Sequence, residues 1–388
     1  MIPLKYNLRS LRVRWVTTLL TCLAIGVVVL ASVLTFGMID GIEHALSASG
    51  DSSDLIIMRQ GANNEMSSFI SPPTKAKELV NLPGIATGPD GEPLASSEFV
   101  TILIKPRRNH GGTANVIVRG LDEVGRRLRP DFKIIEGRDL KPGVNELITS
   151  RSISKRFENL GLGEQLEINN VNFRVVGLFE AAGSSAESEV WADRRDLTSA
   201  QRYDGAVSVV NLRTKDEVSR LEIIERVRND DQFKLKAITE TDYFEDQKSS
   251  SVAIRAVAFI IAGFLTIGAM FAAANTMYAA VACRGREIGT LRAVGFRRRM
   301  VLTSFLLESL VLCALGGLLG CLATLPLHGL SGGTQNMATF SEITFSFRFG
   351  LKVLLRGMAL AVAMGLIGGL FPAIRAIRLE ITDALRQR

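Results

Sequence analysis

Residues 283–299 read CRGREIGTLRAVGFRRR, six arginines and one glutamate between two long apolar runs. Upstream, residues 256–282 contain no Asp, Glu, Lys or Arg, and downstream, residues 300–327 contain only Glu308. Further out, residues 15–38 and 357–374 are also free of charge. Each run is near or above the ~18–20 apolar residues that cross a ~30 Å hydrocarbon core as a helix. A chain of 388 residues with 47% hydrophobic content is compatible with a large soluble protein. Four runs of this length with one charge among them are not.

The first run follows Lys5, Arg9, Arg12 and Arg14, the charge layout of a signal peptide. It is 24 residues long and no A-x-A site follows it directly, so it reads as an uncleaved anchor. The net charge of +7 suggests nucleic acid until the chain is divided. Residues 41–250 hold 28 Lys+Arg against 33 Asp+Glu, whereas the remainder holds 18 against 6. Fourteen of those eighteen cations lie in the N-terminus, in residues 283–299 and after Ile374. That is the positive-inside pattern, which places those three stretches in the cytoplasm and leaves no nucleic-acid partner.

With four crossings, the block of about 210 residues between the first and second helices lies outside, because long domains translocate whatever their charge. Cys22, Cys283, Cys313 and Cys321 all lie in or beside apolar runs, so the external block must hold together through its own core. No N-x-[ST] sequon is present, in keeping with a bacterial exterior. Within the block, DLIIMRQGA, ASSEFVTILIKP and TANVIVRGLD read as strands. EQLEINNVNFRVVGLFEA reads as a hairpin turning at Asn169 and Asn170, and KDEVSRLEIIERVRND has helical periodicity.

The expected fold is a polytopic α-helical membrane protein with four transmembrane helices and a mixed α+β extracytoplasmic domain between helices 1 and 2. Its segments are a cytoplasmic amphipathic stretch 1–14, helices 15–45, 252–282, 300–327 and 350–374, and a periplasmic core domain 46–250. The basic segment 283–299, a short external loop 328–349 and a cytoplasmic tail 375–388 complete it. Gly316 and Gly320 in the third helix, and Gly365 and Gly369 in the fourth, have G-x-x-x-G spacing. Such pairs let helix backbones approach closely, either within one chain or across a homodimer seam.

Chemistry leaves few residues to point at. There is no G-x-x-x-x-G-K-[ST], no G-x-S-x-G, no H-E-x-x-H, and no Cys/His pair with metal spacing. No catalytic, cofactor or metal site is expected on this chain. Read as a helix over 286–295, the basic segment gains a narrow apolar stripe of Ile288, Leu291 and Val294. Glu287 stands near its positive N-terminal end, and Gly295 suits the position after the helix stop. A short amphipathic helix joined on both sides to membrane helices is built to be pushed.

RGREIGTLRAVGFRRRMVLTSFLLESLVLCALGGLLG resembles the signature of permease subunits of MacB/FtsX-type ABC transporters, and FPAIRAIRLEITDALR is similar to that family's closing motif. The stretch IIEGRDLKPGVNELITSRSISKRFENLGLGEQLEINNVNFRVVGLFEA resembles the family's periplasmic core domain. The resemblance implies that 283–299 is a coupling helix seated in a separate ATPase subunit, with contacts from Arg286, Glu287, Ile288, Gly289, Leu291, Arg292, Val294 and Gly295. It also implies ATP and Mg bound on two copies of that partner, and a second permease copy, with a homodimer the expected form. A periplasmic adaptor and an outer-membrane channel belong to some such assemblies. Membrane lipid surrounds the helices, and the location is the bacterial inner membrane.

Two functions fit the resemblance. One is mechanotransmission, in which ATP-driven closure works the external domain to export or extract an amphiphile such as a lipid, lipoprotein, peptide or drug. The other is regulatory, activating an external partner such as a cell-wall hydrolase without moving cargo. The size of the external block favours the first. Glu308, a carboxylate about two turns into a membrane helix, reads either as a functional pivot or as a partner for an arginine of the basic segment.

Overall fold

The computed structural model describes residues 15–378 apart from 109, 110, 130, 231, 251, 337 and 338. The N-terminal stretch 1–14 and the tail beyond 378 therefore lie outside the described residues. The chain forms two compact units, a helical one with residues 15–40, 253–330 and 347–378, and an external one with residues 41–252 and 331–346.

Helix α1 (Trp15–Ser47) enters first. The external unit then contributes β1 (Asp54–Arg59), β2 (Ala95–Pro106), β3 (Thr113–Leu121), β4 (Lys133–Gly137) and β5 (Glu146–Ser150). It continues with β6 (Gln165–Ile168), β7 (Val171–Glu180), β8 (Glu189–Asp193), β9 (Val209–Arg213), helix α2 (Glu217–Arg228), β10 (Leu235–Thr239) and α3 (Glu240–Ser250). The strands form one mixed sheet in the order β10-β1-β9-β2-β3-β8-β5-β7-β4, with β6 on β7. β3 pairs with β8, and β5 with β7, in parallel; the other ladders are antiparallel.

The twelve residues of β2 link the two largest apolar clusters on the sheet. Its first four residues pair with β9 and the rest with β3. One core gathers Leu147, Phe157, Phe173 and Val190, the other Leu55, Ile57, Val210 and Ile223. The turn expected at Asn169 and Asn170 is there, with both residues at positive φ (47° and 66°), the conformation a two-residue hairpin of matching twist requires.

The chain returns through α4 (Val252–Cys283), α5 (Gly285–Ala293) and α6 (Arg298–Thr324), makes a hairpin of β11 (Ser331–Gln335) and β12 (Glu342–Ser346), and ends its described part in α7 (Leu351–Arg378). The stretch read as a short loop thus holds a β-hairpin that belongs to the external unit. Arg107 Nη2 donates to Glu342 Oε2 at 2.6 Å, and the Thr344 N–H donates to Ser188 Oγ at 2.8 Å. α1, α4, α6 and α7 are all long and apolar enough to cross a membrane.

The glycine pairs act inside the chain. A Cβ on Gly316 would meet Cys22 O at 2.8 Å, and one on Gly320 would meet Gly26 O at 2.5 Å, so both seat α6 against α1. A Cβ on Gly365 would meet Cys313 Cβ at 3.0 Å, and one on Gly369 would meet Ser309 Cβ at 2.6 Å, which seats α7 against α6. Ser309 Oγ also donates to Gly365 O at 2.8 Å across that seam. The close approach that these glycines allow here is between helices of the same chain.

Candidate functional site

The foot of the helical unit is built from α5 and Arg284, the one residue between α4 and α5. α5 ends as its sequence dictates. Val294 closes the helix, Gly295 takes φ +105°, the Gly295 N–H reaches Arg292 O and the Phe296 N–H reaches Leu291 O. This double closure is a Schellman stop, which requires a residue without a Cβ penalty at the left-handed position. Glu287 lies in the first turn, where the helix dipole favours an anion.

Burial divides the expected contact residues. Ile288 and Gly289 are buried, and Ile288 packs with Met277, Val281, Val301, Phe305 and Ala373 of the same unit. Leu291 and Arg292 are half-buried, with Arg292 Nη1 donating to Ile377 O at 3.3 Å. Arg286, Glu287, Thr290, Val294 and Gly295 are exposed. The apolar stripe therefore splits: Ile288 anchors α5 to its own bundle, while Val294, 75% exposed, faces outward. The face left for a partner is narrower than the set read from the sequence.

Glu308 completes the anchor. Arg284 Nη1 donates to Glu308 Oε2 at 2.9 Å, and the two side chains are only 8% and 4% exposed. A buried carboxylate in a membrane helix needs such a partner, and the arginine comes from the basic segment itself. Glu308 is thereby a tether between α6 and the start of α5.

A second constellation, in the external unit, escaped sequence reading. Arg119 on β3 donates to Glu189 at 2.7 Å through both Nε and Nη2, to Glu65 at 2.5 Å and to Glu98 at 2.7 Å. Arg129 adds a second guanidinium on Glu98, and Trp191 Nε1 donates to Glu189 at 2.8 Å. Burial alone pushes the Glu98 carboxyl up, but Arg129 and Arg119 together hold it at about 2. The available signal was a charge next to apolar residues in each of two strands, Glu98 before Phe99 and Val100 in ASSEFVTILIKP and Arg119 after Val116, Ile117 and Val118 in TANVIVRGL.

Two regions of the chain match known families. Residues 18–230, more than half of the chain, match the model of the MacB-like periplasmic core domain, and residues 259–381 match that of the FtsX-like permease C-terminal region. A macrolide export ATP-binding/permease protein MacB of Wolinella succinogenes is 24% identical over 98% of this chain and 60% of its own length. Another of that name from Nitrobacter winogradskyi is 31% identical over 62% of this chain and 38% of its own length. The chain thus spans 60% and 38% of the length of these two relatives. The crystal structure of the periplasmic region of MacB from Actinobacillus actinomycetemcomitans aligns with 51% of this chain and 94% of its own at 16% identity and a TM-score of 0.38.

Proposed function

Because the chain belongs to the MacB/FtsX-type family of ABC transporter permeases, multi-pass proteins of the inner membrane, we propose that α5 is the point where the work of an ABC ATPase enters it. The ATPase lies outside these 388 residues, which contain no P-loop, and binds ATP and Mg itself. Two ATPase units closing on ATP push the exposed face of α5, formed by Arg286, Glu287, Thr290, Val294 and Gly295.

One observation carries this reading, the fixing of α5 by the buried Arg284–Glu308 pair together with Ile288. A loop obeying only the positive-inside rule needs neither. A helix fixed on its inner face cannot absorb a push by tilting alone, so α6 and α7 move with it. α1 and α4 continue in sequence into the external unit, as do α6 and α7 through the hairpin. Displacement at the foot is thereby delivered outside, where we assign the work to export or extraction of an amphiphile. The export function in the relatives' names agrees with that assignment.

Two ATPases call for two permeases, and the second copy is assigned to α4. Only 17% of its most apolar window is buried, and a Cβ on Gly263 or Gly268 would meet nothing within 4 Å. The test is reconstitution in nanodiscs with the co-purifying ABC ATPase. Thr290→Trp and Val294→Asp, at exposed positions, should abolish permease-dependent ATP hydrolysis while yield and melting temperature stay unchanged. Unaltered hydrolysis in both variants would end the proposal.

A further inference from the structure

β2 outruns its neighbour on one side. Along the edge away from β3, its residues 95–98 pair with β9, and the Ser208 N–H donates to Glu98 O at 2.8 Å where that ladder ends. The Val100 N–H then finds Ser208 Oγ at 3.0 Å. At the far end, the Glu158 N–H donates to Pro106 O at 3.1 Å. Backbone groups in a strand point alternately to its two edges, so Glu98, Val100, Ile102, Ile104 and Pro106 all face this one. Among the described residues nothing pairs with Val100 O or with either backbone group of Ile102 and Ile104.

Apolar side chains flank the gap on both faces of the strand. Ile104 is 70% exposed and Ile102 36%, on the face opposite the core that takes Val116 and Leu103. Asn115, the cross-strand neighbour of Ile104, donates through Nδ2 to O of the exposed Phe340 at 2.7 Å. On the core face the exposed ring of Tyr203 lies 6.4 Å from that of Phe99, where the gap begins. Soluble domains blunt such edges with charge or proline, and here Lys105 and Pro106 do so only at the outer end.

The backbone groups identify the occupant. Lipid or a small amphiphile would cover the isoleucines, but neither carries a repeating N–H and C=O to offer Ile102 and Ile104. An extended polypeptide carries both at the right spacing. From Val100 to Pro106 the gap runs ~20 Å, room for about five residues of a strand. We propose that the open edge of β2 binds an extended segment of another protein as an added strand, with alternate apolar side chains of that segment lying against Ile102 and Ile104.

The test uses the full chain in nanodiscs and a fluorescein-labelled hexapeptide of alternating threonine and valine, followed by fluorescence anisotropy. Saturable binding is expected. The same peptide N-methylated at every residue keeps its side chains and loses its backbone donors, and should bind roughly tenfold more weakly or worse. Ile104→Pro removes an N–H that has no partner in the free protein, so it should keep the wild-type melting temperature and weaken binding to a similar degree. Ile104→Lys places a charge against the peptide and should do the same, whereas Val218→Lys, at an exposed apolar residue of α2, should bind as the wild type does. Four results each overturn the proposal: no saturable binding by the wild type, equal binding of the methylated peptide, equal binding by both Ile104 variants, or a dimer in light scattering that Ile104→Pro abolishes, which would give the edge to a second copy. Because the readout needs no ATPase, its failure leaves the reading of α5 untouched.

Discussion

Arg284 donates to Glu308 across 2.9 Å with both side chains more than nine-tenths buried. The donor lies immediately before α5 and the acceptor near the inner end of α6, so a single ion pair joins the helix that is pushed to a helix that spans the membrane. Burying two charges is favourable only while both are present; removing one leaves the other desolvated.

Glu308→Ala should therefore destabilise the helical unit by about 3–5 kcal/mol. The double change Arg284→Met with Glu308→Leu should recover most of that loss, since apolar residues of similar volume often replace a buried pair at little cost. Melting in detergent, followed by tryptophan fluorescence, measures both. A double variant less stable than the single one contradicts the tether.

Bulk at the glycines should separate two kinds of surface. Gly320→Leu drives a side chain into Gly26 O and should cost several kcal/mol or prevent a monodisperse preparation. Gly268→Leu enters open space and should leave the melting temperature of the isolated chain unchanged. Any effect it has should appear in the mass of the assembled complex, read by light scattering, because α4 is the face assigned to the second copy.

Replacing Arg119 should be the most damaging single change in the external unit. Arg119→Met removes the guanidinium shared by the buried Glu65, Glu98 and Glu189, leaving Arg129 on Glu98 and Trp191 on Glu189, and should cost about 3–5 kcal/mol at pH 7. The loss should shrink in acid, where Glu98, no longer held down by Arg119, takes up a proton more readily. Equal destabilisation at pH 7 and pH 4 counts against the assigned network.

Two carboxyls should tilt the pH profile in opposite directions. Glu98, held at about 2 against an ordinary 4.5, contributes stability that is fully present above about pH 4.5 and is lost as pH falls toward 2. Glu240, raised to about 8, favours the folded state below about pH 4.5 and loses that contribution as pH rises to 8. Glu240→Gln should hence gain stability relative to the wild type between pH 5 and pH 8, and parallel melting curves across that window refute the assignment.

The β-hairpin should hold to the external unit through Glu342. Its side chain is 2% exposed and accepts from both Nε and Nη2 of Arg107, at 3.2 and 2.6 Å. Glu342→Ala should remove about 1.5–3 kcal/mol of that attachment. Amide exchange in residues 331–346 should speed up while exchange in β5 and β8 stays slow.

Membrane character was legible in the sequence because a helix in lipid must satisfy its backbone internally and show the solvent a long uncharged face. The hairpin at Asn169 and Asn170 and the stop at Gly295 were legible for a similar local reason, since few residues tolerate positive φ. What the sequence left open were questions of which surface meets which. Whether Gly320 packs on its own chain, whether Ile288 faces inward, and whether Glu308 pairs with Arg284 depend on residues far apart in the chain. Glu98 and Glu189 meet Arg119 only because the β2-β3-β8 order of the sheet brings them together, and Glu65 reaches the same guanidinium from the turn that follows β1. Composition and periodicity act over a few residues, and so they determined the elements; desolvation is shared among neighbours in space, and only the tertiary structure decided which charges could be buried together.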